Sequence, residues 1–173
     1  SLYRAHELHF VLYSAIFAGA SKIALQLADE LAEQLTTELL SIESPPMADW
    51  LEAFVPLRTH VLVRFGRWDE LIAQALPEDR DLYCTTAATM HYGRGIALAA
   101  TGELAGAHAE RAAFADAYGR IPDSRYLFNN TCRDILAVAA AMLDGEIAYR
   151  ERCFDEAFRH LKHAVDLDDA LPY

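Results

Sequence analysis

The chain has 173 residues, 53% of them apolar and 24% charged, with 15 basic against 26 acidic side chains and a formal net charge of −11. That is apolar material enough for one compact domain or a short repeat array, and so large an acid excess excludes functions that rest on attraction to a phosphate backbone. The longest apolar run, over 135–143, is about half of the ~20 residues needed to span a bilayer, so neither a nucleic-acid nor a membrane partner is expected.

Hydrophobic spacing is helical from the start. Leu8, Val11, Leu12, Ala15 and Ile16 recur at three- and four-residue intervals and predict a helix over 2–18. Gly19 ends it, and a second helix is expected over 21–39, up to the breaker Ser44-Pro45-Pro46. A third spans 47–65, with Pro56 kinking it unless the helix begins close by. After Gly66 come 68–76, then, past Pro77, 81–101; Gly102 separates that helix from 103–118, Gly119 and Pro122 from 126–152, and Arg152 from 154–168. No Val/Ile/Thr-rich alternating run bounded by turns is present, so no sheet is expected and the fold class is all-α. Cys84, Cys132 and Cys153 are too few and too scattered for a disulfide framework, which points to reduced thiols and a cytoplasmic setting. No secretory signal opens the sequence, although both ends read as cut from a longer protein.

Tight turns around a single Gly alternate with longer Pro-bearing loops, which makes the unit a helical hairpin and divides the chain at about 1–43, 44–80, 81–122 and 123–173. Four turn segments align: Phe17-Ala18-Gly19-Ala20-Ser21-Lys22-Ile23-Ala24, Arg64-Phe65-Gly66-Arg67-Trp68-Asp69-Glu70-Leu71, Ala100-Thr101-Gly102-Glu103-Leu104-Ala105-Gly106-Ala107, and Arg150-Glu151-Arg152-Cys153-Phe154-Asp155-Glu156-Ala157, the last with Arg152 in place of Gly. Gly95 and Gly145 occupy matching positions in two hairpins, where close approach of helix backbones would offset the loss of helix propensity.

These segments resemble the tetratricopeptide repeats. The best match runs from Gly145 through Phe154-Asp155-Glu156-Ala157 to Leu161, Ala164 and Leu167, followed by Gly95 to Phe114 and by Trp68-Asp69-Glu70-Leu71. The chain departs from the family in lacking its early Trp, in its Pro positions, and in unequal repeats longer than the usual ~34 residues. The resemblance implies a right-handed superhelical stack of about four antiparallel hairpins, with first helices lining a concave groove. Carried over position by position, it places His6, His9, Tyr13 and Phe17 in that groove from the first hairpin, His60 and Arg64 from the second, Tyr92 from the third, and Met142, Glu146, Tyr149 and Arg150 from the fourth. Family members that clamp acidic C-termini use Lys, Arg and Asn in such places; here His9, Pro56, Tyr92 and Met142, then Tyr13, His60, Ile96 and Glu146, stand there, so no such clamp is assembled.

No motif for chemistry competes with this reading. His6-Glu7-Leu8-His9 has its two His three apart rather than the four of a zinc-protease helix, and His160 and His163 flank the cationic Lys162, so no metal or other cofactor is expected. Neither a nucleophile elbow nor a phosphate-binding loop is present, Gly93-Arg94-Gly95 lies inside a helical pattern, and Cys84 near His91 reads as a structural thiol. The expected function is non-catalytic: a scaffold holding a protein or peptide in the groove. The alternative is a ligand- or metal-binding sensor, or a divergent enzyme, at the His-rich mouth of His6, His9 and His60. The segment 154–173 lacks the polar outer face of a terminal repeat, which implies self-association there or a further repeat beyond it.

Overall fold

The computed structural model describes residues 2–172; Ser1 and Tyr173, at the edges of the first and last expected hairpins, lie outside the described residues. The helices are α1 (Leu2–Phe17), α2 (Ser21–Gln34), α3 (Thr37–Leu40), α4 (Met47–Leu51), a 3-10 turn (Glu52–Phe54), α5 (Leu57–Arg64), α6 (Trp68–Ala73), α7 (Cys84–Thr101), α8 (Leu104–Gly119), α9 (Cys132–Arg150) and α10 (Phe154–Asp169). A two-residue strand β1 (Tyr126–Leu127) pairs antiparallel with β2 (Asn130–Thr131), Tyr126 opposite Thr131. Among the described residues no helix is long and apolar enough to cross a membrane.

The four matched turns share one backbone conformation. Gly19, Gly66, Gly102 and Arg152 all stand at positive φ, between 64° and 90°. In each, the turn residue donates its N–H to the carbonyl three residues back and the next N–H goes to the carbonyl five back: Ala20 to Ala15, Arg67 to Leu62, Glu103 to Leu98 and Cys153 to Ala148, all within 3.0 Å. This is the two-bond cap that closes a helix on a left-handed residue. The following residue has φ between −87° and −84° and ψ between 63° and 67° every time. Four residues further on, Ala24, Leu71, Ala107 and Ala157 are all 0% exposed, so each turn drives a small or branched side chain into the core at the same register.

The helices joined by these turns pack on each other, α1 with α2, α5 with α6, α7 with α8 and α9 with α10. Between pairs, α2 meets α5, α6 meets α7, and α8 meets α9, while α7 also touches α5 and α9. Buried apolar residues form two clusters, one around α1, α2, α4 and α5, the other around α7, α8 and α9. At Gly95 a Cβ would lie 2.8 Å from Leu143 Cδ1, and at Gly145 2.7 Å from Leu161. The close approach expected at these glycines is therefore mainly a leucine laid over the helix; only at Gly145 does a backbone atom, the Ala157 carbonyl at 3.3 Å, come near as well.

Several expected elements are divided, each for a local reason. The strand pair at 126–131 contradicts the expectation of no sheet: two residues per strand are too few to show alternation. It also moves the start of α9 to Cys132, where the Thr131 hydroxyl caps the helix by accepting from the Asp134 N–H at 3.0 Å. The second helix breaks near Leu35, and Thr36 caps α3 by accepting from Leu39 N–H. Pro56 starts α5 instead of kinking a longer helix, consistent with the missing N–H at that position. The helix expected from 81 begins at Cys84 because Asp79 Oδ1 accepts from the N–H groups of Asp81 and Leu82, an Asx turn that precedes the helix.

One buried ionic cluster joins these segments. Glu52 is 0% exposed, and its carboxylate accepts from Thr85 N–H at 3.2 Å, Thr86 N–H at 2.7 Å and the Thr86 hydroxyl at 2.5 Å. It thereby caps the N-terminus of α7 from a distant part of the chain, as the helix dipole favours. Arg125 Nη1 reaches Glu52 Oε2 and the Leu82 carbonyl, each at 3.0 Å, while its Nε lies 3.0 Å from Asp49 Oδ1.

Removing one partner of a buried ion pair leaves a charge without compensation, so Arg125→Met is expected to lower unfolding stability by about 3–5 kcal/mol, read from urea denaturation. At the turns, Arg152→Gly relieves the left-handed strain and is expected to raise stability by up to about 1 kcal/mol in the same assay; a loss would show that the arginine side chain contributes contacts that outweigh the strain.

Candidate functional site

The first helix of each pair contributes to one recess of about 150 Å³. Tyr13 comes from α1, Leu57 and His60 from α5, Thr85, Thr89 and Tyr92 from α7, and Ile135, Leu136 and Ala139 from α9; Leu127 of β1 closes one side. The spacing of Thr85, Thr89 and Tyr92 keeps them on one face of α7, as does that of Ile135, Leu136 and Ala139 on α9.

An aromatic and imidazole array extends from the recess along α1. The Tyr13 hydroxyl and His60 Nε2 lie 3.3 Å apart with their rings stacked at 26°. His9 packs at 4.6 Å from the Tyr13 ring, 5.5 Å from Phe54 and 5.0 Å from Phe128. His6 continues the array against Phe10 and Phe128. Desolvation drives the His9 pKa down to about 4, helped by the nearby His60 and His6. His60 is exposed at the mouth yet surrounded by protein on its other sides, and desolvation lowers its pKa too. At neutral pH the His9 ring is uncharged and serves as a flat, polarisable wall.

On the other side the array runs onto α9. Tyr92 is buried, with its hydroxyl 3.9 Å from Met142 Sδ; burial, with the Glu146 charge, pushes its phenol up to about 12. Glu146 holds Arg150 at 2.7 Å, and the Arg150 guanidinium lies 5.9 Å from the centre of the Tyr149 ring. Tyr149 in turn meets Phe154 and Phe158 edge-on. Cys132 borders the recess, but burial raises its thiol to about 12, so at neutral pH it is a protonated wall and not a nucleophile.

Of the residues expected in the groove, the structure links His6, His9, Tyr13 and His60 in one set and Tyr92, Met142, Glu146, Arg150 and Tyr149 in a second, with Tyr13, His60 and Tyr92 on the recess itself. Phe17, 84% exposed, and Arg64, exposed at the end of α5, do not line it. Missed from the sequence were Phe54, Leu127 and Phe128. The signal for the last two was present in Asn129-Asn130, turn chemistry directly after an apolar-aromatic pair. Among the described residues no three His, Cys, Asp or Glu side chains gather as a metal ion would require.

No protein-family model matches this chain, and no curated protein or solved structure matches it either.

The lowered pKa of His9 has a signed consequence. Above pH 6.5 both folded and unfolded states carry a neutral imidazole; between pH 6.5 and about 4 only the unfolded state takes the proton. Stability is therefore expected to fall as the pH drops through that window, and His9→Gln to flatten the decline, measured as urea midpoints at neutral and mildly acidic pH. Equal slopes in the two proteins would contradict the assignment.

Proposed function

We propose that this chain is a non-catalytic binding scaffold, a tetratricopeptide-type stack of four helical hairpins that holds a protein or peptide segment against its first helices. The observation that carries this reading is the shared recess: α1, α5, α7 and α9, the leading helices of four pairs closed by the same turn, all place side chains on it. A groove built from repeated leading helices is the binding surface that such arrays use. Its chemistry suits recognition rather than reaction. Tyr and His on the recess, with Met142 and Arg150 in the adjoining set on α9, offer large contact areas with polar tips, while Cys132 and Tyr92 are held in their protonated forms by burial.

The α10 face, where Phe154, Phe158 and Val165 are 46%, 59% and 56% exposed, is the surface through which self-association would run in this reading.

Tyr92 is a wall and not a contact, so its truncation would damage the core. The informative substitutions are His60→Ala and Tyr149→Ala, both at exposed positions. Peptides selected from a display library on the wild-type chain are expected to bind the double variant about tenfold or more weakly, with unchanged helical circular dichroism and with Glu33→Ala, exposed on α2, as a neutral control. Undiminished affinity in the double variant would reject the groove as the binding surface.

A further inference from the structure

A second recess opens on the other side of the β1–β2 hairpin, bounded by Tyr3, His6, Trp50, Phe54, Tyr126 and Phe128. We propose that it binds a small organic cation of the quaternary-ammonium class. This goes beyond the scaffold reading and does not depend on it.

The lining carries the argument. All six side chains bear rings, and they come from three regions distant in sequence: α1, the contiguous α4 and 3-10 turn, and the hairpin. Tyr3, Trp50 and Tyr126 are 72%, 41% and 39% exposed, an uncommon convergence of large rings toward water at one place. The recess measures about 570 Å³, within the roughly 300–1,000 Å³ typical of small-molecule sites.

The inner rings meet edge to face rather than in a stack. Phe128 meets His6 at 5.0 Å and 79°, and Phe54 at 5.3 Å and 89°, so neighbouring rings stand almost perpendicular. Among the described residues Phe128 is one of two non-glycine residues at positive φ, at 54°, a conformation that side chains other than glycine adopt under strain. Its partner in this respect, Arg152, ends a helix; Phe128 ends no helix, and its strained backbone sets its ring between those of His6, His9 and Phe54.

The preferred charge of the occupant follows from the surroundings. Aromatic faces carry negative electrostatic potential and attract cations. Beside the recess, Asp49 precedes Trp50 and Arg125 precedes Tyr126 in sequence, and the two carboxylates of Asp49 and Glu52 share the single guanidinium of Arg125. The trio is formally negative, and among the described residues no Lys or Arg lines the recess. A primary ammonium would need acceptors for three N–H groups; a quaternary ammonium has none to satisfy, which matches walls made of ring carbon.

The test compares choline with its uncharged analogue, in which carbon replaces the ammonium nitrogen, by saturation-transfer NMR on the methyl signals of each ligand. Choline is expected to bind saturably and at least about tenfold more tightly than the neutral analogue. Trp50→Phe should retain binding and Trp50→Leu lose it, with circular dichroism verifying the fold; Tyr126→Phe against Tyr126→Leu repeats the comparison at a second wall should the Trp50 variants unfold. Equal affinity for both ligands, or no saturable choline signal, would overturn the proposal. A peptide carrying trimethyllysine is run alongside, and its binding tenfold more tightly than choline would overturn the assignment to a free small cation.

Discussion

A carboxylate taken out of water is destabilising by several kcal/mol unless its charge is met in place, and Glu52 is met from three directions. The first turn of α7 supplies two N–H groups and a hydroxyl, and Arg125 supplies the countercharge. The consequences reach well beyond local stability. Glu52 belongs to the 3-10 turn between α4 and α5, Thr85 and Thr86 open the longest helix of the central region, and Arg125 leads into the strand pair. A single cluster therefore ties the segment between α4 and α5, the start of α7 and the loop before α9 to one another. Arg125 also holds the Leu82 carbonyl, so the loop that delivers the chain to α7 is tied to the same point.

That anchoring sets the β1–β2 hairpin between the two recesses. Successive residues of a strand face opposite sides, and here Leu127 borders the recess between the leading helices while Tyr126 and Phe128 border the ring-lined recess on the other side. The hairpin is thus a thin partition held at its base by Arg125 and packed at its tip by Phe128 against Phe54 and His9. Two adjacent surfaces of different character result: one mixed, with hydroxyl, imidazole and aliphatic groups, the other almost wholly aromatic.

The helical class, the four turns and much of the first-helix surface were legible in the sequence, since all rest on local chemistry. Glycine at a left-handed position is a strong signal, and even the exception, Arg152, was aligned by its neighbours Phe154 and Ala157. Tyr13, His60 and Tyr92 were reached through the tetratricopeptide resemblance, which assigns a position on each leading helix to a shared surface. The ion cluster and the aromatic recess were not legible, for a common reason. Glu52, Arg125, Trp50 and Phe128 act through contacts between segments far apart in the chain, and in their own neighbourhoods they look like ordinary surface charges and scattered aromatics. Short elements set by such contacts, including the strand pair and the 3-10 turn, carry too few residues to show a period of their own.

The repeated turn has a consequence for how much of this chain can change. Because a left-handed residue and two backbone bonds set the direction of each second helix, the geometry of a pair is stored in the main chain and in one buried apolar side chain after the turn. Nearly every outward-facing position is then released from architectural duty. Such a framework can exchange its whole surface vocabulary while its shape persists.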